Sequence, residues 1–151
     1  MDFKTEMVPE YRIAYVRQTG PYGPANQHVM EELKLWANEK SLLDESAMIL
    51  GISHDHPQTT PAECCRYDAC IVIPEDFRMD ASLEEGEFPG GEYAVFQVQH
   101  KEEEIQKLWA EILPSLHNLG FQLDNRPAFE RYTGAMLLNH QCEVCLPVKE
   151  L

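Results

Sequence analysis

The apolar positions of this chain change period several times, and each change marks an element. From Tyr11 to Arg17 they alternate. Ile13 and Tyr15 fall on one side and Ala14 and Val16 on the other, which predicts a strand. The stretch Thr19 to Pro24 carries two glycines and two prolines and ends it. The period then becomes helical over Ala25 to Glu39, where Val29, Leu33 and Trp36 fall at i, i+4 and i+7 with Met30 and Ala37 beside them. Pro24 suits the first turn of that helix. Ser46 to Ser53 and Tyr67 to Ile73 are short apolar runs that read as buried strands. The polar segment His54 to Glu63 between them, with Pro57 and Pro61, reads as a loop. Glu75 to Pro89 is acidic and reads as irregular.

Gly90 and Gly91 open a second alternating strand, Tyr93 to Gln99, with Tyr93, Val95 and Gln97 against Ala94, Phe96 and Val98. A helix over Lys101 to Leu119 follows, its stripe formed by Ile105, Leu108, Trp109, Ile112 and Leu116. Pro114 is expected to kink it and Gly120 to stop it. Ala128 to Thr133 and Gln141 to Val148 are the last two strands. The order strand, helix, strand, strand thus occurs twice, over about residues 10–74 and 90–149. Each helix also contains Lys-Leu-Trp-Ala, at Lys34 to Ala37 and Lys107 to Ala110. The expected fold is α+β: a duplicated strand-helix-strand-strand unit in one domain over 1–151. Its antiparallel sheet would carry two main helices flanking a central ligand cleft.

Charge narrows the function classes. Twelve basic residues stand against 26 acidic ones, a net −14. That balance argues against direct binding of nucleic acid, whose affinity comes from Lys and Arg displacing counterions. It also disfavours an anionic membrane surface. Attraction of cations and plain solubility both remain open. The five cysteines, Cys64, Cys65, Cys70, Cys142 and Cys145, form no framework and read as reduced thiols. With no apolar leader and no membrane-length run, the expected setting is soluble and cytoplasmic.

Four stretches together resemble the GyrI-like family, which includes gyrase-inhibitory proteins and the effector-binding domains of some AraC-type and MerR-type multidrug regulators. They are Gly20-Pro21-Tyr22; Thr60-Pro61-Ala62-Glu63 before Arg66-Tyr67-Asp68-Ala69-Cys70; Gly90-Gly91-Glu92-Tyr93-Ala94-Val95; and Phe129-Glu130-Arg131-Tyr132 followed by Glu143-Val144-Cys145-Leu146-Pro147-Val148. The likeness keeps its order over nearly the whole chain. It implies the duplicated fold and the binding of lipophilic, often cationic, compounds in an aromatic pocket with a buried glutamate. The matching position is Glu143. With about ten residues ahead of the first strand, the chain looks like the free-standing form rather than one fused to a DNA-binding region.

Glu143 faces with Gln141 and Cys145 and opposite Cys142, Val144 and Leu146, and a carboxylate among apolar strand residues needs a partner. The resemblance makes that partner an arriving cation; the residue pattern alone also fits a solvent-facing Glu. Glu130 and Tyr132 share a face, so Glu130 is either a second pocket carboxylate or a surface salt bridge. Trp36 and Trp109 lie on helix stripes and serve as cation-binding walls or as core. Tyr22, Tyr67, Tyr93 and Phe96 are further wall candidates. Cys142 and Cys145, three apart on a strand, point to opposite faces and cannot chelate together. His54-Asp55-His56 reads as a solvated loop. No phosphate loop, nucleotide fingerprint or nucleophile elbow is present, so neither cofactor nor metal is expected.

The leading expectation is therefore a module that binds or sequesters a lipophilic cation and is not an enzyme. The alternatives are a hydrolase of reactive small molecules, cyclopropane-bearing ones among them, using the same pocket Glu and a Tyr, or an inhibitor that binds DNA gyrase. A protein partner, gyrase or a regulator, and a homodimer stay open.

Overall fold

The computed structural model describes residues 3–55, 59–99, 101–139 and 141–151; within these, the side chains of residues 102, 105, 106, 109, 113, 137 and 138 are not described. In chain order the elements are β1 (Lys4–Val8), β2 (Tyr11–Thr19), α1 (Pro24–Glu39), β3 (Met48–Ser53), β4 (Arg66–Val72), β5 (Glu84–Phe88), β6 (Gly91–Gln99), α2 (Glu102–Asn118), β7 (Phe121–Leu123), β8 (Ala128–Thr133), α3 (Gly134–Leu138) and β9 (Gln141–Glu150). The fold is α+β. Every strand pairing is antiparallel, and the sheet runs β1-β6-β9-β8-β3-β4-β2-β5, with β7 against the end of β9.

That order is a doubled unit. On one side of the β3–β8 seam the strands read β3, β4, β2; on the other they read β8, β9, β6. Each half adds an outer strand that the apolar pattern did not reveal, β5 on β2 and β1 on β6. The reason is physical. An edge strand buries little, so Lys4–Val8 carries Lys4, Thr5 and Glu6 and Glu84–Phe88 carries three glutamates, and charge protects an edge from pairing with other chains. Only Val8 and Phe88 in them are buried. Those two residues come from opposite edges yet pack in one cluster, so the sheet is curled into a half-barrel. Gly90 helps close it. Its φ is +75°, and a Cβ there would run into the Val8 carbonyl.

The curl buries both faces. Inside lie Ile13, Leu50, Ile52, Cys70, Val95 and Cys145 with the edge-to-face rings of Phe88, Tyr93 and Phe129. The helices cover the outer face. α1 packs Val29, Met30, Leu33, Trp36 and Ala37 onto Ala14, Ile49, Ala69 and Ile71. α2 packs Leu108, Ile112 and Leu116 onto Ala94, Phe96 and Val144. Pro114 stands inside α2, which continues past it to Asn118. No helix among the described residues is long and apolar enough to cross a membrane.

Candidate functional site

One cross-strand row organises the helix-covered face. Val16, Ala69, Gly51, Glu130, Val144 and Phe96 are successive Cα partners across β2, β4, β3, β8, β9 and β6. Its two ends lie under the two helices, Val16 and Ala69 in the α1 cluster and Val144 and Phe96 in the α2 cluster. Glu130 stands at the seam between them. No hydrogen bond or ion pair among the described residues reaches it. Burial alone pushes its carboxyl above the usual carboxylate range. The residue is not sealed, for part of its surface stays open.

Two tyrosines close on that carboxyl. Tyr132, two residues along β8 on the same face, is 3% exposed, and burial pushes its hydroxyl up, with Tyr67 and Glu130 adding to the effect. Tyr67 lies on β4 two residues before Ala69. Its hydroxyl covers Gly51, where a Cβ would collide with it, and burial and then Glu130 push its ionisation up. Gly51 thus leaves a gap in the row beside Glu130, and Tyr67 fills it. Cys142 joins the same face, its thiol pushed up to about 12 by burial first and Glu130 second. This group is an under-solvated carboxyl ringed by phenols and apolar walls, which favours a cation over an anion.

Glu143 is placed elsewhere. It is buried, but on the inner face, paired across strands with Gln97 and Arg131. Arg131 Nε donates to Glu143 Oε1 at 3.1 Å. The same guanidinium donates to both oxygens of Glu6 on β1 at 2.6 and 3.1 Å. Arg131 holds the Glu6 carboxyl below the usual range. Asp68 is the counterpart in the first half. Asp68 and Glu143 each stand one residue before a member of the row, Ala69 and Val144, on the middle strand of their half. Asp68 accepts from Arg17 at 2.7 and 2.9 Å and lies 2.7 Å from His54 Nε2. Each half therefore carries a buried inner-face carboxylate pinned by an arginine. The two glutamates exchange the roles expected of them: Glu143 already has its counter-charge, and Glu130 has none among the described residues.

The other expected residues divide. Tyr67, Tyr132 and Glu130 come together, and Phe96 ends their row, buried at 1% and tilted against Phe3 at 5.0 Å. Trp36 is core: its indole N–H donates to Ser82 at 3.0 Å, and its ring meets Phe77 edge-on at 5.9 Å. Tyr22 is an anchor. Its hydroxyl sits 2.8 Å from the Arg66 carbonyl and 3.0 Å from that of Asp55, tying the turn before α1 to the β3–β4 loop. Tyr93 is on the inner face, under the Arg126 guanidinium at 4.8 Å. The Trp109 side chain and His56 lie outside the described residues. Asp55 is ion-paired to Arg66, and His54 Nε2 lies at hydrogen-bond distance from Asp68, so neither is free in the loop. Cys142 and Cys145 pack in different clusters on opposite faces.

Two residues were missed. Gly51 matters through what it lacks, and only the strand register reveals it. Lys34 on α1 is partly buried, with its Nζ 5.4 Å from the centre of the Tyr132 ring. A groove of about 300 Å³ between β6 and α2, lined by Phe96, Val98, Leu108, Glu104, Lys107 and Glu111, touches the row at Phe96 but not at Glu130.

Comparison with known proteins agrees with this architecture. The model of the GyrI-like small molecule binding domain matches residues 1–149. YosT of Bacillus subtilis (strain 168), an SPbeta prophage-derived protein that carries a transcriptional-regulator name, is 40% identical over 150 residues, covering 99% of this chain and 100% of its own. The C-terminal domain of EcmrR superposes with a TM-score of 0.72 at 12% identity, covering 100% of both chains. SAV2435, solved bound to tetraphenylphosphonium, superposes with a TM-score of 0.63 at 17% identity, covering 99% of this chain and 94% of its own. At such identities the two structures share the fold.

Proposed function

The chain belongs to the GyrI-like small-molecule-binding family, and we propose that the molecules it holds are lipophilic cations whose charge meets Glu130. The observation that carries this reading is the position of that carboxyl. It stands at the seam of the two halves, on the helix-covered face, raised by burial and without a counter-charge among the described residues. A delocalised or shielded cation costs less to strip of water than a compact ammonium, so it is the cheaper partner for such a group. The rings of Tyr67 and Tyr132 supply weak, non-directional attraction, which favours breadth over narrow specificity. The tetraphenylphosphonium held by SAV2435 is a cation of this kind.

Calorimetric titration with tetraphenylphosphonium tests the reading. Saturable binding is expected in the wild type and in Glu143→Gln, with a loss of about tenfold or more in Glu130→Gln. No saturable binding, or a loss in Glu143→Gln but not in Glu130→Gln, overturns it. A second reading, hydrolysis, is favoured by one observation, the Tyr67 hydroxyl over Gly51 beside Glu130. A carboxylate and a phenol there could orient water on a bound electrophile. Mass spectrometry after incubation with a reactive cyclopropane compound separates turnover from holding.

A further inference from the structure

A second charge meets the face of β8 that carries Glu130. α1 lies over β2 and β4. Lys34 reaches from it to Tyr132 of β8, with its Nζ 5.4 Å from the centre of that ring, on the face of β8 that carries Glu130. Burial lowers its pKa, the mark of an ammonium partly stripped of water. The carboxylate in its electrostatic reach is Glu31, one turn earlier on the same helix and exposed. No carboxylate among the described residues lies within salt-bridge distance of Lys34. It therefore rests on the face of a ring, a partial substitute for water.

The seam thus holds two under-solvated charges of opposite sign that do not pair with each other. Glu130 and Tyr132 are two residues apart on one face of β8, roughly 7 Å between Cα atoms. Both meet Tyr132: the ammonium lies over its ring, and the carboxyl adds to the rise in its hydroxyl's ionisation. A ligand carrying only positive charge satisfies Glu130 but meets repulsion from Lys34. A neutral ligand satisfies neither.

We propose that the preferred ligand class is amphoteric: a flat delocalised cation that also bears an anionic substituent, with Glu130 taking the positive end and Lys34 the negative. This rests on Glu130 being the ligand carboxylate. Lys34 is then the specificity-determining residue of the site.

A matched pair of fluorescent probes tests it: a rhodamine ethyl ester, which is a cation only, and the corresponding free acid, which is a zwitterion. Anisotropy titrations would be run on the wild type, Lys34→Met, Lys34→Arg and Glu130→Gln. The wild type is expected to prefer the free acid by about tenfold, the worth of one screened charge contact. Lys34→Met should reverse the preference, gaining affinity for the ester and losing it for the acid, while Lys34→Arg keeps it. An acid-to-ester ratio that Lys34→Met leaves unchanged, with ester binding still sensitive to Glu130→Gln, overturns the role of Lys34 and leaves the Glu130 reading standing. If neither probe binds the wild type, both fall.

Discussion

Gly51 and Glu130 are Cα partners across the β3–β8 seam. They also hold matching places in the two halves of the sheet, since each is the third residue of its half-row counted inward from Val16 and from Phe96. One half offers a carboxyl there and the other offers nothing. The duplicated unit is thus made asymmetric at its centre, and Tyr67 leans into the vacant place. A site built this way needs both changes, because a side chain at Gly51 would expel the tyrosine that walls the carboxyl.

Gly51→Ala should therefore cost more than a methyl group ordinarily does. The new Cβ collides with the Tyr67 hydroxyl, and overpacking of this kind typically costs about 1–3 kcal/mol. Urea unfolding is expected to show a lower midpoint for Gly51→Ala and partial recovery in Gly51→Ala with Tyr67→Phe. Unchanged stability in the single variant would mean that Tyr67 moves aside freely.

Glu130 should make the unliganded protein less stable as pH rises. Its carboxyl is raised in the folded state. Between the ordinary carboxyl pKa and the higher folded one, the native state holds a proton that the unfolded chain has released, so stability falls over that window and levels off above it. Each unit of elevation is worth about 1.4 kcal/mol. Glu130→Gln is expected to unfold at higher urea than the wild type at pH 8, with the gap closing toward about pH 4. Cation affinity in the wild type should rise over the same window. A pH-independent gap between the two proteins would remove Glu130 as an under-solvated acid.

Asp68 should behave in the opposite sense. Burial works to raise its carboxyl, but the hydrogen bonds from Arg17 and His54 outweigh it and the group ends below its ordinary value. A depressed carboxyl contributes stability that is present above the unfolded pKa and is lost as pH falls through the folded one. Asp68→Asn is expected to lower the urea midpoint at neutral pH and to converge on the wild type in strong acid. Convergence toward alkaline pH instead would contradict the assignment.

Much of this fold was legible because the two long helices and six of the strands bury a face. The parity along β2, β6, β8 and β9 was legible too: Glu130 with Tyr132, and Glu143 with Cys145 against Cys142 and Val144. Parity does not say which face carries the helices. In an ordinary open sheet the polar side would answer that, but the half-barrel buries both sides of β9, and both read as apolar. Glu143 and Glu130 could be told apart only by their partners. Arg131 was in view in the Phe129-Glu130-Arg131-Tyr132 stretch. What tied it to Glu143 was the β8–β9 register, and what tied it to Glu6 was β1, a strand whose charged edge hid it.

Arg131 joins those facts and gives the sharpest stability test. Its side chain is 7% exposed, and its guanidinium bridges Glu143 on β9 to Glu6 on β1. Removing it leaves Glu143 buried on the inner face without a counter-charge, a change that typically costs about 3–5 kcal/mol. Removing Glu143 as well takes away the group that suffers. Arg131→Met is therefore expected to lower the urea midpoint strongly, and Arg131→Met with Glu143→Leu to recover much of the loss. Neither should alter the dependence of cation binding on Glu130, because the triad lies on the other side of the sheet. If the double variant is as unstable as the single one, the cost lies in lost packing of Arg131 rather than in a stranded carboxylate.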